Sequence, residues 1–452
     1  MTRRDLVKSA AAFTILPAHL VRGYQANEKV NVGVIGVGGV GSGNASKLAQ
    51  LGENVVALCD VDSGILERRA QSHPKARKYT DFRQMMDKEK LDGVVVATPD
   101  HTHAYISITA MKRGLNVYCQ KPLTKTIAEA RLMAEVARQQ KVVTQMGTAS
   151  AAGETTRRDL ELVRSGMLGD ITEVHAWTNR ALWPQGFTRP TGSDPVPSSL
   201  NWDLWLGPAA ARPYLAKWPE GHPMYKIPER LNAFRKNWWT DSWPSVYHQF
   251  TWRGWQEFGT GALGDIAPHT LNVVFWALEL GAPAAVEVVD TSGMTRDMYP
   301  EWSILRFDFP SRGARPQVSI YWYDGGKEPV REIAGGDKDE GGLVWIGTKG
   351  SWPAARGPYF GKSADAYPKP PAVDWPYQEV HTDWVRGIKT GFQPSAHFGY
   401  SGPFTEAYLL GNIALKMGHR IEWNPLTRQI TNCREANQYL SHEYRKGWEL
   451  PV

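Results

Sequence analysis

Read for its alternation of apolar and polar positions, the chain changes character once. Up to about Thr148, short β-branched runs at residues 30–35, 54–59, 92–98 and 116–119 read as buried strands, and the stretches 44–51, 103–113 and 127–140 between them have helical periodicity. That rhythm predicts a doubly wound α/β domain with a parallel sheet. Beyond Thr148 the rhythm stops. Residues 171–179, 284–291, 303–309, 318–323 and 343–347 read as strands separated by long loops rich in tryptophan and proline. Residues 183–251 have little periodicity, an uncommon length for a structureless loop, and predict an active-site lid or a subunit-wrapping insertion. No internal repeat is evident. A chain of 452 residues predicts two domains with two cores, here 27–150 and 151–430, followed by a tail at 431–452.

Composition narrows the picture. With 42% hydrophobic and 22% charged residues the chain has the make-up of a soluble globular protein, and no apolar run reaches the length of about 20 residues needed to span a bilayer. The net charge of +6 is spread without a basic tract, so no nucleic-acid partner is expected. Cys59, Cys119 and Cys433 lack metal-ligand spacing, and two of them fall inside predicted strands, so neither a metal site nor a disulfide framework is expected. Residues 1–26 are set apart. Arg3 and Arg4 precede a short, weakly apolar stretch at 9–16, which resembles a twin-arginine export signal and implies a periplasmic protein, membrane-tethered if the segment is retained. The alternative is a frayed helical N-terminus with two solvated arginines.

The strongest local chemistry follows the first strand. Gly36-Val37-Gly38-Gly39-Val40-Gly41 is a G-x-G-x-x-G that leads into a helical stretch. Gly36 suits the tight turn, Gly38 a close backbone approach to a pyrophosphate, and Gly41 the packing of helix on strand. The second strand ends at Asp60, 24 residues after Gly36, where a carboxylate accepts from a ribose 2′-hydroxyl and repels a 2′-phosphate. No arginine immediately follows, so NAD is expected rather than NADP. Ligands of such sheets lie beyond the carboxyl ends of the strands, which brings Thr98, Pro99 and His103 of one loop, and Gln120 and Lys121 of another, to the same rim.

These motifs, with Lys121-Pro122 and Gly264-Asp265-Ile266-Ala267-Pro268-His269, resemble those of the Gfo/Idh/MocA family in their order along residues 29–425. The likeness is particularly close to exported bacterial members carrying Trp183-Pro184-Gln185-Gly186 and Asn201-Trp202-Asp203-Leu204-Trp205-Leu206-Gly207-Pro208. The resemblance implies a second domain with an open, mostly antiparallel sheet that covers the nicotinamide and packs in homo-oligomers, dimers or tetramers. It also implies catalytic roles for Lys121, Asp265 and His269. Gln120 stands where the family usually has glutamate, which removes a negative charge beside Lys121, and Pro268 replaces a residue that is often cysteine or glycine.

Asp265 and His269 are spaced i, i+4, so one helical face presents both, and an imidazole with an ordinary pKa near ~6.5 suits proton removal at a carbinol. Spacing alone equally allows Asp265 to cap a helix starting at Ile266 and His269 to be a core residue. Nineteen tryptophans suit flat polyhydroxylated rings as well as packing, and Arg180, Trp183, Tyr247, His248 and Arg253 are the candidate substrate contacts. His381 and the segment 402–406 are expected to be architectural.

Three functions remain open. The first is an oxidoreductase acting on a sugar or polyol with tightly held NAD, since free dinucleotide is scarce outside the cytoplasm. The second is a redox-neutral NAD-dependent glycoside hydrolase or lyase. The third is an inactive sugar-binding protein.

Overall fold

The β-branched runs near the start of the chain form a six-stranded parallel sheet in the computed structural model, which describes residues 28–226, 245–330, 333, 341–353 and 370–451. Its strands are β1 (Asn31–Ile35), β2 (Asn54–Cys59), β3 (Arg77–Tyr79), β4 (Gly93–Val96), β5 (Asn116–Gln120) and β6 (Thr144–Gly147), in spatial order β3-β2-β1-β4-β5-β6. Strand order reverses between β1 and β4, and the crevice beyond their carboxyl ends is where such sheets bind ligands. Helices α1 (Val40–Gln50), α2 (Ser63–Ala70), α3 (Phe82–Lys88), α4 (Asp100–Lys112) and α5 (Ile127–Gln140) connect the strands. Asp62 caps α2 by accepting from the amides of Gly64 and Ile65, and Thr126 with Glu129 forms a capping box on α5. Two helices start earlier than periodicity predicts. α1 begins at Val40 because the glycine loop itself turns into the helix, and α4 begins at Asp100, directly after the extended Pro99. β3 and β6 are too short to leave a periodic signal.

The second sheet comprises β7 (Ile171–Thr178), β8 (Ala285–Thr291), β9 (Ser303–Phe309), β10 (Val318–Tyr323), β11 (Gly341–Gly347), β12 (Gly350–Pro353), β13 (Ile421–Asn424) and β14 (Gln429–Ile430). Its order is β12-β11-β7-β10-β9-β8-β13-β14, with β7 and β10 parallel and the other neighbours antiparallel. Register aligns Val174 with Ile320 and Ile320 with Phe307, so one face is a continuous apolar layer.

The expectation of two separate cores is corrected. One cluster of buried apolar side chains runs from Val32 and Val95 in the first sheet to Phe307 and Trp322 in the second. The physical reason is α11 (Phe398–Met417), numbered after α6 (Glu154–Arg164), α7 (Trp202–Leu206), α8 (Gly261–Thr270), α9 (Asn272–Ala277) and α10 (Val380–Thr390). A β-carbon on its Gly402 would lie 2.9 Å from the Ala130 carbonyl of α5, and one on Gly411 would lie 2.9 Å from both Leu305 and Phe307. Two glycines thus let one helix lie tightly against both domains, and Glu406 adds a bidentate pair with Arg131 at 2.5 and 2.8 Å.

The insertion is not structureless where it is described. It contains α7 and a satellite core in which Trp205, Trp218, Tyr247, Trp255 and Phe258 are buried. The tail is integral too: Ala436 and Trp448 are buried. All three cysteines are buried and unpaired. Among the described residues no helix is long and apolar enough to cross a membrane. The twin-arginine segment 1–26 and residues 227–244 of the insertion lie outside the described residues.

Candidate active site

The glycine loop is built as its spacing implies. Gly36 has φ +83°, open to glycine at little cost, and a β-carbon on Gly41 would sit 1.8 Å from the Gly36 carbonyl oxygen. Gly38 lines the cleft, and a β-carbon there would meet Ile65 at 3.4 Å, an ordinary contact, so its lack of a side chain serves the cleft rather than the packing. Asp60 is buried beneath the loop, with one carboxylate oxygen accepting from the Val37 amide (2.8 Å) and the other from the Asp62 amide (3.0 Å). Asp60 also lines a cleft, together with Gly36, Gly38, Gly39, Val40, Thr98, Pro99, Gln120 and Lys121. Glycine cradle, carboxylate and cleft fit a dinucleotide.

At the β5 side of the cleft, Lys121 meets Arg253 and Asp265, which lie more than 130 residues further along the chain, in a charge cluster. The Lys121 ammonium lies 2.8 Å from an Asp265 carboxylate oxygen and donates to the Asp265 main-chain carbonyl at 2.8 Å. Arg253 pairs with the same carboxylate oxygen at 3.1 Å. Burial alone would raise the pKa of Asp265, but these two cations hold it well below the usual carboxylate range. Arg253 is itself seated on Trp252 and Phe250, with ring centroids 4.3 and 4.4 Å from its guanidinium carbon. Asp100, at the start of α4, is pushed up to about 7 by burial and then by the nearby Asp265 charge, with the Thr260 hydroxyl (2.8 Å) opposing.

His269 is partly buried on the helix that carries Asp265. Burial, and then the Lys121 charge, lower its pKa to about 4, which leaves a neutral imidazole at pH 7. Its Nδ1 lies 3.4 Å from the Thr148 hydroxyl, while the Asp265 carboxylate pairs with cations. α8 begins at Gly261, so Asp265 lies inside the helix and does not cap one starting at Ile266.

The predicted site residues do not all face the cleft, and Asp265 and His269 are not among its lining residues. Gly36, Gly38, Gly39, Val40, Asp60, Thr98, Pro99, Gln120 and Lys121 line the cleft, as do His248 and Arg253. Val37 and Gly41 build the loop from behind. His103 braces the rim from below: its ring nitrogens lie 2.9 Å from the Pro122 carbonyl oxygen and 2.8 Å from that of Thr98, joining the two loops that meet the cleft. Of the substrate candidates, Tyr247 is fully buried in the aromatic core, its hydroxyl accepting from Arg189 at 2.6 Å, and it is removed from the site. His248 pairs with Asp62 at 3.1 Å and belongs to the cofactor side. Trp183 is buried edge-on to Phe250 beside Arg253, and the Arg180 charge acts on His269, so both stand near the charge cluster.

Several participants escape a linear reading. Behind Gln120, the amide of Asn44 links to two domains: Gln120 donates to its Oδ1 (3.3 Å), and His381, paired with Glu379 at 2.6 Å, lies 3.0 Å from the same atom. His381 therefore does more than close the second domain. Trp205, Trp252 and Trp448 wall the cleft, and only tryptophan richness hinted at them. Among the described residues, no group of three or more histidine, cysteine or acidic side chains is placed to hold a metal.

Residues 30–148 match the family model described as "Oxidoreductase family, NAD-binding Rossmann fold", that of Gfo/Idh/MocA. Inositol 2-dehydrogenase 4 of Saccharopolyspora erythraea is 31% identical over 166 residues, 36% of this chain and 49% of that protein. A glycosyl hydrolase family 109 protein of Shewanella pealeana is 28% identical over 159 residues, 33% of this chain and 35% of that protein. The chain thus spans about half or less of these relatives. The structure of the WlbA dehydrogenase from Bordetella pertussis, in complex with NADH and UDP-GlcNAcA, superposes with TM-score 0.58 at 16% identity, covering 88% of this chain and 99% of that one. At that identity the likeness establishes the two-domain α/β fold. The N-terminal domain is an NAD-binding Rossmann domain.

Proposed function

We propose that this chain, whose NAD-binding domain is that of the Gfo/Idh/MocA oxidoreductases, oxidises a hydroxyl group of a carbohydrate or polyol. The observation that carries the reading is the Lys121–Asp265–Arg253 cluster beside a neutral His269 at the β5 side of the dinucleotide cleft. Bound NAD supplies a hydride acceptor there. The substrate hydroxyl must then lose its proton as the carbon loses hydride, and a neutral imidazole accepts that proton. The Lys121 ammonium donates to the same oxygen and stabilises the charge developing on it. Asp265 is a positioning residue that holds the lysine, Arg253 in turn holds the Asp265 carboxylate, and Trp183 with the Arg180 side supports a flat, hydroxyl-rich ring.

A second reading is supported by the glycosyl hydrolase family 109 relative. In it, oxidation of a ring hydroxyl acidifies the adjacent C–H, the glycosidic substituent is eliminated, water adds, and the hydride returns, so no NADH accumulates. The decisive assay offers free sugars and polyols while following NADH, and aryl glycosides while following the aglycone. Net NADH supports the first reading and aglycone release without NADH the second; sugar binding with neither product refutes both. His269→Ala is expected to abolish turnover while NAD stays bound. In the wild type, the acid limb of kcat/KM is expected near pH 4 rather than 6.5, because the imidazole stays neutral down to about 4. Turnover surviving in His269→Ala would overturn the assignment.

Twin-arginine export to the periplasm and homo-oligomerisation belong to the same proposal. Arg3, Arg4 and the weakly apolar segment after them support export; cell fractionation and size-exclusion chromatography with light scattering test the two.

A further inference from the structure

Two elements outside the Rossmann domain close over the adenosine side of the dinucleotide cleft. That side is fixed by strand order: Asp60 ends β2, next to the edge strand β3, whereas Lys121 follows β5 on the far side of β1. The first element is the insertion. Residues 199–201 pair with the loop after Asp60: the Ser63 amide donates to the Ser199 carbonyl (2.8 Å), the Asn201 amide donates to the Val61 carbonyl (2.9 Å), and Asp62 and Leu200 form an antiparallel bridge. His248 adds a side-chain pair to Asp62. Leu204 and Trp205 of α7 then form part of the cleft wall.

The second element is the C-terminal tail. His442 and Tyr444 hold it to Glu129 on α5, at 3.1 and 3.0 Å. From there it crosses to α7, where Arg445 donates to the Gly207 and Asp203 carbonyls at 2.9 and 2.8 Å and pairs with the Asp203 carboxylate. Trp448 ends the crossing. It is buried between the Arg83 guanidinium (4.9 Å) and the Tyr105 ring (5.0 Å), and it lines the same cleft as Asp60, with Phe82, Ile106 and Leu204.

We propose that the tail, with Trp448 as its plug and Arg445 as its fastening to α7, is a cofactor-retention element that makes NAD a resident group. This rests on the NAD-binding reading of the cleft. Tail and insertion are tied to each other as well as to the Rossmann domain, so NAD leaves only when at least one of them lifts. Each contact that must break on departure slows release, because affinity within one site is set mostly through the dissociation rate.

The test compares full-length wild type, Trp448→Ala, Trp448→Phe and Arg445→Met, all after dialysis and with near-UV circular dichroism to verify folding. Nucleotide released on denaturation is counted per chain, and ¹⁴C-labelled NAD is exchanged into each protein. The wild type is expected to retain about one NAD per chain and to exchange slowly. Trp448→Ala and Arg445→Met should exchange about tenfold faster or more, with Trp448→Phe near wild type. Exchange within twofold of wild type in both folded variants overturns the retention element, as does a wild type that binds labelled NAD and releases it within seconds. A wild type that takes up no labelled NAD overturns instead the reading of the cleft on which the proposal rests. If Trp448→Ala does not fold, Arg445→Met alone decides, since it leaves the plug in place and loosens only its fastening.

Discussion

Asp265→Asn replaces a carboxylate by an amide of nearly the same shape and leaves two partly buried cations without their shared counter-charge. The attraction removed is about 6 kcal/mol for Lys121 at 2.8 Å and about 5 kcal/mol for Arg253 at 3.1 Å, taking an effective dielectric of about 20. Those are gross values, offset by the desolvation that the carboxylate no longer incurs; removal of one partner from a buried pair typically costs about 3–5 kcal/mol. The asparagine oxygen still accepts one hydrogen bond, and Lys121 keeps its bond to the residue's main-chain carbonyl at 2.8 Å, so the lower end, about 3 kcal/mol, is expected. Relieved of its like-charged neighbour, Asp100 ionises more readily and restores part of the counter-charge, so the deficit is larger at pH 5 than at pH 8. Urea unfolding of the nucleotide-free protein, followed by tryptophan fluorescence at both pH values, measures it. A double-mutant cycle isolates the pair: in the Asp265→Asn background, Lys121→Met should cost far less than in wild type, or stabilise. A loss below about 1 kcal/mol, or a Lys121→Met effect equal in both backgrounds, would refute the claim that the carboxylate organises the site.

Asp100 carries a pH dependence of opposite sign to an ordinary buried carboxylate pair. Its folded pKa of about 7 lies above its ordinary value of 3.8, so its stabilising contribution is full below about pH 4 and is lost as pH rises to 7. Asp100→Asn is therefore expected to match wild type in stability near pH 4 and to exceed it at pH 8 by up to about 4 kcal/mol, the linkage limit for that shift; equal urea midpoints at both pH values would contradict it. Gly41→Ala places a methyl group against the Gly36 carbonyl oxygen, and should cost about 1–3 kcal/mol of stability together with NAD binding. Isothermal titration with NAD checks this, and unchanged affinity would show that the loop relaxes without loss.

The parts of the site legible in the sequence are those whose chemistry is local. The glycine loop and Asp60 belong to one βαβ unit, so their spacing carries their geometry, and the rim loops follow from the strands before them. The position of His103 after a strand predicts a place on the rim, whereas its ring turns inward to two carbonyls, which local spacing does not express. Tyr247 and His248 were adjacent candidates with different fates. One is buried among Trp202, Trp255 and Phe258 and the other reaches Asp62, a difference that no pattern in a segment without periodicity could express.

What this sequence determined by itself is the parallel domain, its dinucleotide loop and β7 to β11 of the second sheet, because hydrophobic period and glycine placement act over a few residues; the short β12, β13 and β14 left no such signal. Tertiary structure alone decided that one core joins both domains, that Lys121, Arg253 and Asp265 share one charge cluster, and that Trp448 closes a cleft begun at Gly36. Periodicity states that a side chain is buried but not against what. Partners 144 residues apart along the chain, as Lys121 and Asp265 are, meet only through the packing of α8 and α11 between the sheets.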